Sequence, residues 1–190
     1  LVKNINLPAP ITTSKAVPII NCRGLITTQG DTEVLTLLGT FPDASTLKLE
    51  RLRSASQAGI TRTINITWQV VEFLTDVTVK TGTTTIAYNA FSATADITAT
   101  PIADVTKAFL MLTSSGQSAI NGVDEQIHLR GTITDENTLT FTRTEDSPNA
   151  SDGVQIQWYL VEFTDTSSTV QKGTTAANDL GAAGATITAS

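Results

Sequence analysis

The segment that most constrains the fold is Trp68-Gln69-Val70-Val71-Glu72-Phe73, because it recurs as Trp158-Tyr159-Leu160-Val161-Glu162-Phe163. The two segments lie 90 residues apart, and four of their six positions are identical. Further matches follow at spacings of 91 or 92 residues: Lys15-Ala16 with Lys107-Ala108, Thr46-Leu47 with Thr138-Leu139, Arg51 with Arg143, and Val79 to Thr83 with Val170 to Thr174. A period of this length predicts that one half of the chain is a diverged copy of the other.

Each copy of the repeated segment alternates between two faces. In the first copy, Ile64, Ile66, Trp68 and Val70 share one face, and the residues between them share the other. Alternation over nine or ten residues, with many β-branched and aromatic side chains, is typical of a half-buried strand. We therefore expect Trp68 and Trp158 to be equivalent core residues, with Phe73 and Phe163 as structural residues at the strand ends.

Glu72 and Glu162 share the core-facing side of these strands. A carboxylate in such a place is costly unless it lies at the rim of the sheet or has a partner. We expect both to cap a strand end by accepting backbone N–H bonds, and a role as catalytic acid is the less favoured alternative.

The residue inventory offers little site chemistry. Cys22 is the only cysteine and His128 the only histidine, so an intrachain disulfide is excluded. A zinc site needs several such ligands, and a serine hydrolase needs a histidine supported by a nucleophile motif, which is absent. The sequence therefore predicts no catalytic residue, no cofactor and no metal, and a protein that is not an enzyme.

Charge and hydropathy exclude further classes of partner. The net charge of −6 and the pI near 4.6 disfavour binding to nucleic acid or to anionic membranes, which need concentrated positive charge. No apolar run in the sequence approaches the length that spans a bilayer, so we expect no membrane insertion. The chain opens with Leu1 rather than methionine, which is compatible with the removal of an upstream segment.

Short alternating segments separated by turn-forming residues predict an all-β fold. We expect two tandem antiparallel β-sandwich domains related by internal duplication, at residues 1–98 and 99–190. Residues 47–53 are expected to form a hairpin with the Trp68 strand, and Thr81-Gly82 is expected to be a turn between two strands.

The chain ends carry a third occurrence of the linking strand. Residues 185–190 repeat residues 95–100, and the alternating Ile5 and Leu7 occupy the comparable place before the first copy. One copy is therefore either a closing strand of its own sandwich or an inter-subunit strand, because an unpaired edge is a template for strand addition. The candidate inter-subunit residues are Ile5, Leu7, Thr186, Ile187 and Thr188.

The pattern in which Thr-Leu-x-Leu or Thr-Leu-x-Phe is followed by Ile-x-Trp-x-Val-Val-Glu-Phe and then by Val-x-x-Gly resembles repeat modules of uncharacterised phage and bacterial surface proteins. The hairpin that ends in an aromatic-rich strand also looks like the small sandwich of H-type lectins, which assemble as trimers and bind sugars. No sugar-contacting motif of that family can be matched here.

These resemblances imply a tandem surface or assembly module. The leading expectation is a non-enzymatic structural protein of a virion (a decoration, fibre or tail component) or of a cell-surface filament, located outside the cell or on the virion surface. Its partners would be other copies of itself or other structural proteins. The alternative is a carbohydrate-binding, lectin-like module with surface glycans as partners.

Overall fold

The computed structural model describes residues 2–24, 36–51, 64–116, 128–143 and 153–173. These residues form strands and two 3-10 turns, Thr13–Lys15 and Val105–Lys107, so the described chain is all-β. The strands are β1 Val2–Asn6, β2 Ala16–Gly24, β3 Leu38–Asp43, β4 Thr46–Glu50, β5 Ile64–Glu72, β6 Val77–Ile86, β7 Ser92–Asp96, β8 Ala108–Gly116, β9 Leu129–Ile133, β10 Thr138–Arg143 and β11 Val154–Phe163.

The strands pair in four antiparallel sheets. Sheet I has the order β1-β4-β3, sheet II β2-β5, sheet III β7-β10-β9 and sheet IV β6-β11-β8. Trp68 lies opposite Ile20 in sheet II, and Trp158 lies opposite Leu112 at the matching place in sheet IV. Sheets III and IV therefore reproduce the registers of sheets I and II, with β6 added to sheet IV.

Short aspartate turns close the two hairpins that recur. Asp43 accepts a hydrogen bond from the amide of Ser45 between β3 and β4, and Asp135 accepts one from the amide of Asn137 between β9 and β10. An aspartate that bonds the amide two residues on stabilises a tight reversal of the chain. Each of these turns therefore joins two paired strands that are adjacent in sequence.

Two hydrophobic clusters cover the two faces of sheet IV. The inner cluster joins sheets III and IV and contains Leu139, Phe141, Ile156, Trp158 and Leu160 among its buried members. The outer cluster joins Val77, Val79, Tyr159 and Val161 of sheet IV to Val17 of β2, with Phe41 of β3 packed against it. The strands of the first half thus pack on the outside of sheet IV.

Two expectations about local pairing are wrong. β4 does not form a hairpin with β5, because β4 pairs with β1 and β3 whereas β5 pairs with β2. Thr81-Gly82 is not a turn, since both residues lie inside the continuous strand β6. Alternation shows which side chains share a face, and it does not show which strand lies alongside.

β6 and β7 precede residue 98, and they pair with β11 and β10, which follow it. The second copy of the Trp strand is buried on both faces, because Gln157, Tyr159 and Val161 of the face away from the inner core are only 7%, 3% and 0% exposed. The outer cluster accounts for this burial.

Candidate functional site: the junction at strand β6

Potential reactive groups are dispersed in the part of the chain that the structure describes. No group of three or more His, Cys, Asp or Glu side chains there could hold a metal ion, and no helix there is long and apolar enough to cross a membrane. His128 is exposed beside a shallow groove that Arg130 and Arg143 also line. Cys22 is partly buried, and this burial raises the pKa of its thiol.

The most extensive contact between the two halves is built around β6. This strand follows β5 in sequence, but all ten of its residues pair with β11, from Val77 opposite Phe163 to Ile86 opposite Val154. On the outer face, the Tyr159 hydroxyl donates to the carbonyl of Gly39 at 2.7 Å, and the Gly39 amide donates to Thr113 Oγ1 at 3.0 Å. Burial raises the pKa of Tyr159, which keeps the hydroxyl a donor.

On the inner face, β6 passes directly beneath Trp158. Gly82 lies opposite Trp158, and a Cβ at Gly82 would stand 2.3 Å from Cζ2 of the indole. The indole Nε1 donates to Thr84 Oγ1 at 3.2 Å, two residues along β6. A residue without a side chain is needed here because the ring occupies the space that a side chain would fill.

Glu162 fixes the end of the same junction. Its Oε1 accepts from the backbone amides of Ala103 at 2.6 Å and Asp104 at 3.2 Å, and its Oε2 pairs with Lys80 Nζ of β6 at 2.9 Å. The carboxylate is 4% exposed, so its burial is offset by these partners. Glu72 makes the matching backbone contact in the first half, where its Oε1 accepts from the amide of Thr12 at 2.7 Å.

The two equivalent strands differ in what covers them. Trp158 is 7% exposed, whereas Trp68 is only partly buried. β11 pairs on both edges, with β8 and β6, whereas no described strand pairs with the edge of β5 opposite β2. The two tryptophans are therefore equivalent in register and unequal in burial.

The phenylalanines at the ends of β5 and β11 lie near each other. Phe73 and Phe163 meet edge to face with ring centroids 6.4 Å apart, and Phe109 lies 6.1 Å from Phe163. This arrangement is favourable for aromatic rings and adds to the outer cluster. The predicted structural residues Phe73 and Phe163 thus come together at the junction.

The predicted inter-subunit residues divide into two sets. Ile5 lies opposite Leu47 in sheet I, and the Leu7 amide donates to the carbonyl of Ser45 at 2.8 Å, so both follow β4 within their own half. Their segment acts as a closing strand there, because β1 completes sheet I. Thr186, Ile187 and Thr188 lie outside the described residues.

Sequence reasoning missed Gly82, Lys80 and Tyr159 as junction residues. The signal that could have found Gly82 is its return as Gly173 within the repeated pattern Val-x-x-Gly-Thr-Thr. Lys80 and Tyr159 have no such signal, because their counterparts in the other copy are Gln171 and Gln69.

A scan of protein-family models, a search of curated proteins and a search of solved structures each found no match to this chain.

Proposed function

We propose that the protein is a non-enzymatic structural subunit of an external assembly, such as a virion decoration, fibre or tail component or a cell-surface filament. It acts through protein–protein contacts with copies of itself or with other structural proteins. Its location would be extracellular or on the virion surface.

In this proposal the chain consists of two β-sandwich units that arose by duplication. Sheets I and II would form the first unit, and sheets III and IV the second. The matched registers around Trp68 and Trp158 support the duplication. The inner cluster, which draws on both sheet III and sheet IV, supports a sandwich for the second unit.

The observation that carries the proposal is the placement of β6. The strand belongs by sequence to the segment after the first unit, and it completes a sheet of the second. Strand addition of this kind supplies a full ladder of backbone hydrogen bonds, and it can be repeated between any two units with the same edges. A chain built this way is suited to linear assembly.

The test is the state of association of the purified chain. We expect sedimentation velocity to give larger species as the protein concentration rises, and negative-stain electron microscopy to show objects with a repeat set by one chain. A single monomeric species at all concentrations would contradict the proposal.

Carbohydrate binding is the second candidate, and one groove favours it. The groove of about 430 Å³ beside β6 is lined by hydroxyl and amide side chains, including Thr13, Ser14, Thr83 and Gln157, and by the ring of Phe41. Hydroxyl groups and an aromatic ring suit a neutral sugar. Specific and saturable binding on a glycan array, lost in Phe41→Ala, would support this function, and uniform background binding would reject it.

A further inference from the structure

We propose that residues 169–173 of one copy of this chain add as a strand to the edge of β5 in a second copy, an edge with which no described strand pairs, so that copies join head to tail. This inference rests on the proposed assembly function and names the partner and the contact. It would repeat, between two chains, the link that β6 makes between the two halves of one chain.

The acceptor is the edge of β5 that faces away from β2. Val161 of β11 is fully buried beneath Val79 and its neighbours, whereas the equivalent Val71 of β5 is 37% exposed. Trp68 is likewise only partly buried, as described above. An open strand edge flanked by exposed apolar side chains is a ready template for another strand.

The donor segment repeats β6 at a spacing of 91 residues. Val170 corresponds to Val79, Gly173 to Gly82 and Thr175 to Thr84. With the register of β6 on β11, Gly173 falls opposite Trp68 and Val170 falls opposite Val71. The donor therefore carries glycine at the position where an indole ring requires it.

The chain path that leads into residues 169–173 resembles the path that leads into β6. Lys15 Nζ donates to the carbonyl of Leu74 just before β6, and the equivalent Lys107 Nζ donates to the carbonyl of Asp165. The amide of Val170 then donates to the carbonyl of Thr106 at 3.1 Å. The segment thus passes the turn Val105–Lys107, as β6 passes the equivalent turn Thr13–Lys15.

A groove lies where the acceptor would enter. The groove has a volume of about 510 Å³. It is lined by Phe109, Gly131 and Ile133 and by residues 171–173. In the first half, the corresponding groove between β3 and β6 is lined by Gln157 and Tyr159 of β11. The Tyr159 hydroxyl donates to the carbonyl of Gly39, the repeat counterpart of Gly131. β5 of a second copy would occupy this groove with Gln69 at the place of Tyr159.

One substitution makes the link between chains different from the link within a chain. Gln171 stands where β6 has Lys80, so Glu72 would meet a neutral amide rather than an ammonium group. A charge-assisted hydrogen bond is stronger than a neutral one. We therefore expect Gln171→Lys to tighten association by roughly tenfold, with the gain reduced by salt.

Because the contact between copies is heterologous, it generates an open chain or a ring.

The decisive variant is Gly173→Val, because a Cβ at Gly173 has no atom of the described residues within 4 Å. Its circular dichroism and thermal unfolding should match those of the wild type. In the next copy the added side chain would collide with Trp68, so sedimentation velocity should show loss of the larger species, with association weakened by about tenfold or more.

A peptide gives an independent measurement on the unmodified chain. The peptide of residues 167–178, added in excess, should cap β5 and dissociate wild-type assemblies, whereas the same peptide with Val at position 173 should not. Assembly unchanged by both the variant and the peptide would overturn the strand contact and leave the proposed assembly function standing. A wild-type chain that stays monomeric would overturn both.

Discussion

Gly82→Ala should destabilise the protein more than any other glycine-to-alanine change among the described residues. The new Cβ would stand 2.3 Å from Cζ2 and 2.8 Å from Cε2 of Trp158, where ordinary contact needs at least 3.4 Å. One of the two groups must therefore move by about 1 Å. The indole cannot easily move, because it is rigid, 7% exposed and enclosed by the inner cluster.

The cost follows from this geometry. Overpacking of a tight core costs about 1–3 kcal/mol, and the rigid partner places Gly82→Ala at the upper end, about 3 kcal/mol. Gly39 and Gly131 also have close neighbours. These are the tip of Ile20 at Gly39 and the tips of Leu110 and Leu112 at Gly131, which can rotate away at lower cost.

Urea unfolding followed by circular dichroism measures the effect. Gly173→Ala is the matched control, because no atom of the described part of the chain lies within 4 Å of a Cβ at this position. Its midpoint should equal that of the wild type. The slope should stay constant in both variants, so that a shift of the midpoint reports stability. Equal midpoints for Gly82→Ala and Gly173→Ala would show that β6 does not pack beneath Trp158.

Three further results are expected from the junction residues. In urea unfolding, Trp158→Ala should lower the free energy of unfolding by about 3–5 kcal/mol. Trp68→Ala should lower it by about 1–2 kcal/mol, because Trp68 is only partly buried; equal losses would contradict the unequal burial of the two strands. Glu162→Ala should cost about 3 kcal/mol, because it removes the carboxylate that pairs with Lys80 and the acceptor of two backbone amides. Glu72→Ala should cost about 1 kcal/mol, because its contact is exposed; the reverse order would refute this. Hydrogen bonds from the hydroxyl and amide of Thr106 lower the pKa of Asp104 below 3.8, so its contribution to stability is present above pH 3.8 and is lost as the pH falls through the folded-state pKa. The stability difference between wild type and Asp104→Ala should therefore shrink below pH 3.8, and a difference that is constant with pH would contradict the assignment.

The presence of strands could be predicted from the sequence. The alternation of β5 predicted which residues are less exposed, and the structure has the same alternation from Ile64 to Glu72. The all-β class was predicted correctly from the same kind of pattern and is confirmed. Such a pattern can be read from the sequence because it depends only on the residues of the strand itself.

The pairing of the strands was not accessible in the same way. The sequence does not show whether β6 pairs with β5 or with β11, because these two strands carry Trp, Val and Glu at equivalent positions. A repeat therefore makes the two arrangements equivalent at the level of sequence, and only long-range packing chooses between them. The pairing of β6 with β11 also explains why Trp158 is more buried than Trp68.

The hydrogen bonds of Arg143 also lie beyond the reach of local patterns. Arg143 shares the buried face of β10 with Leu139 and Phe141 and is 5% exposed. It donates from Nε to the carbonyl of Ala90 and from Nη2 to the carbonyls of Ala87 and Tyr88. Those acceptors lie more than 50 residues away in sequence. No local pattern in the chain contains that information.

The central claim is that β6 and β7 belong to the same folding unit as β8 to β11. The most direct test compares two fragments, residues 74–173 and residues 99–173, by circular dichroism and urea unfolding. The longer fragment retains the outer strand of both sheet III and sheet IV, so we expect it to unfold in one cooperative transition. The shorter one lacks both strands, and we expect no cooperative transition. A fragment 99–173 as stable as fragment 74–173 would contradict the account.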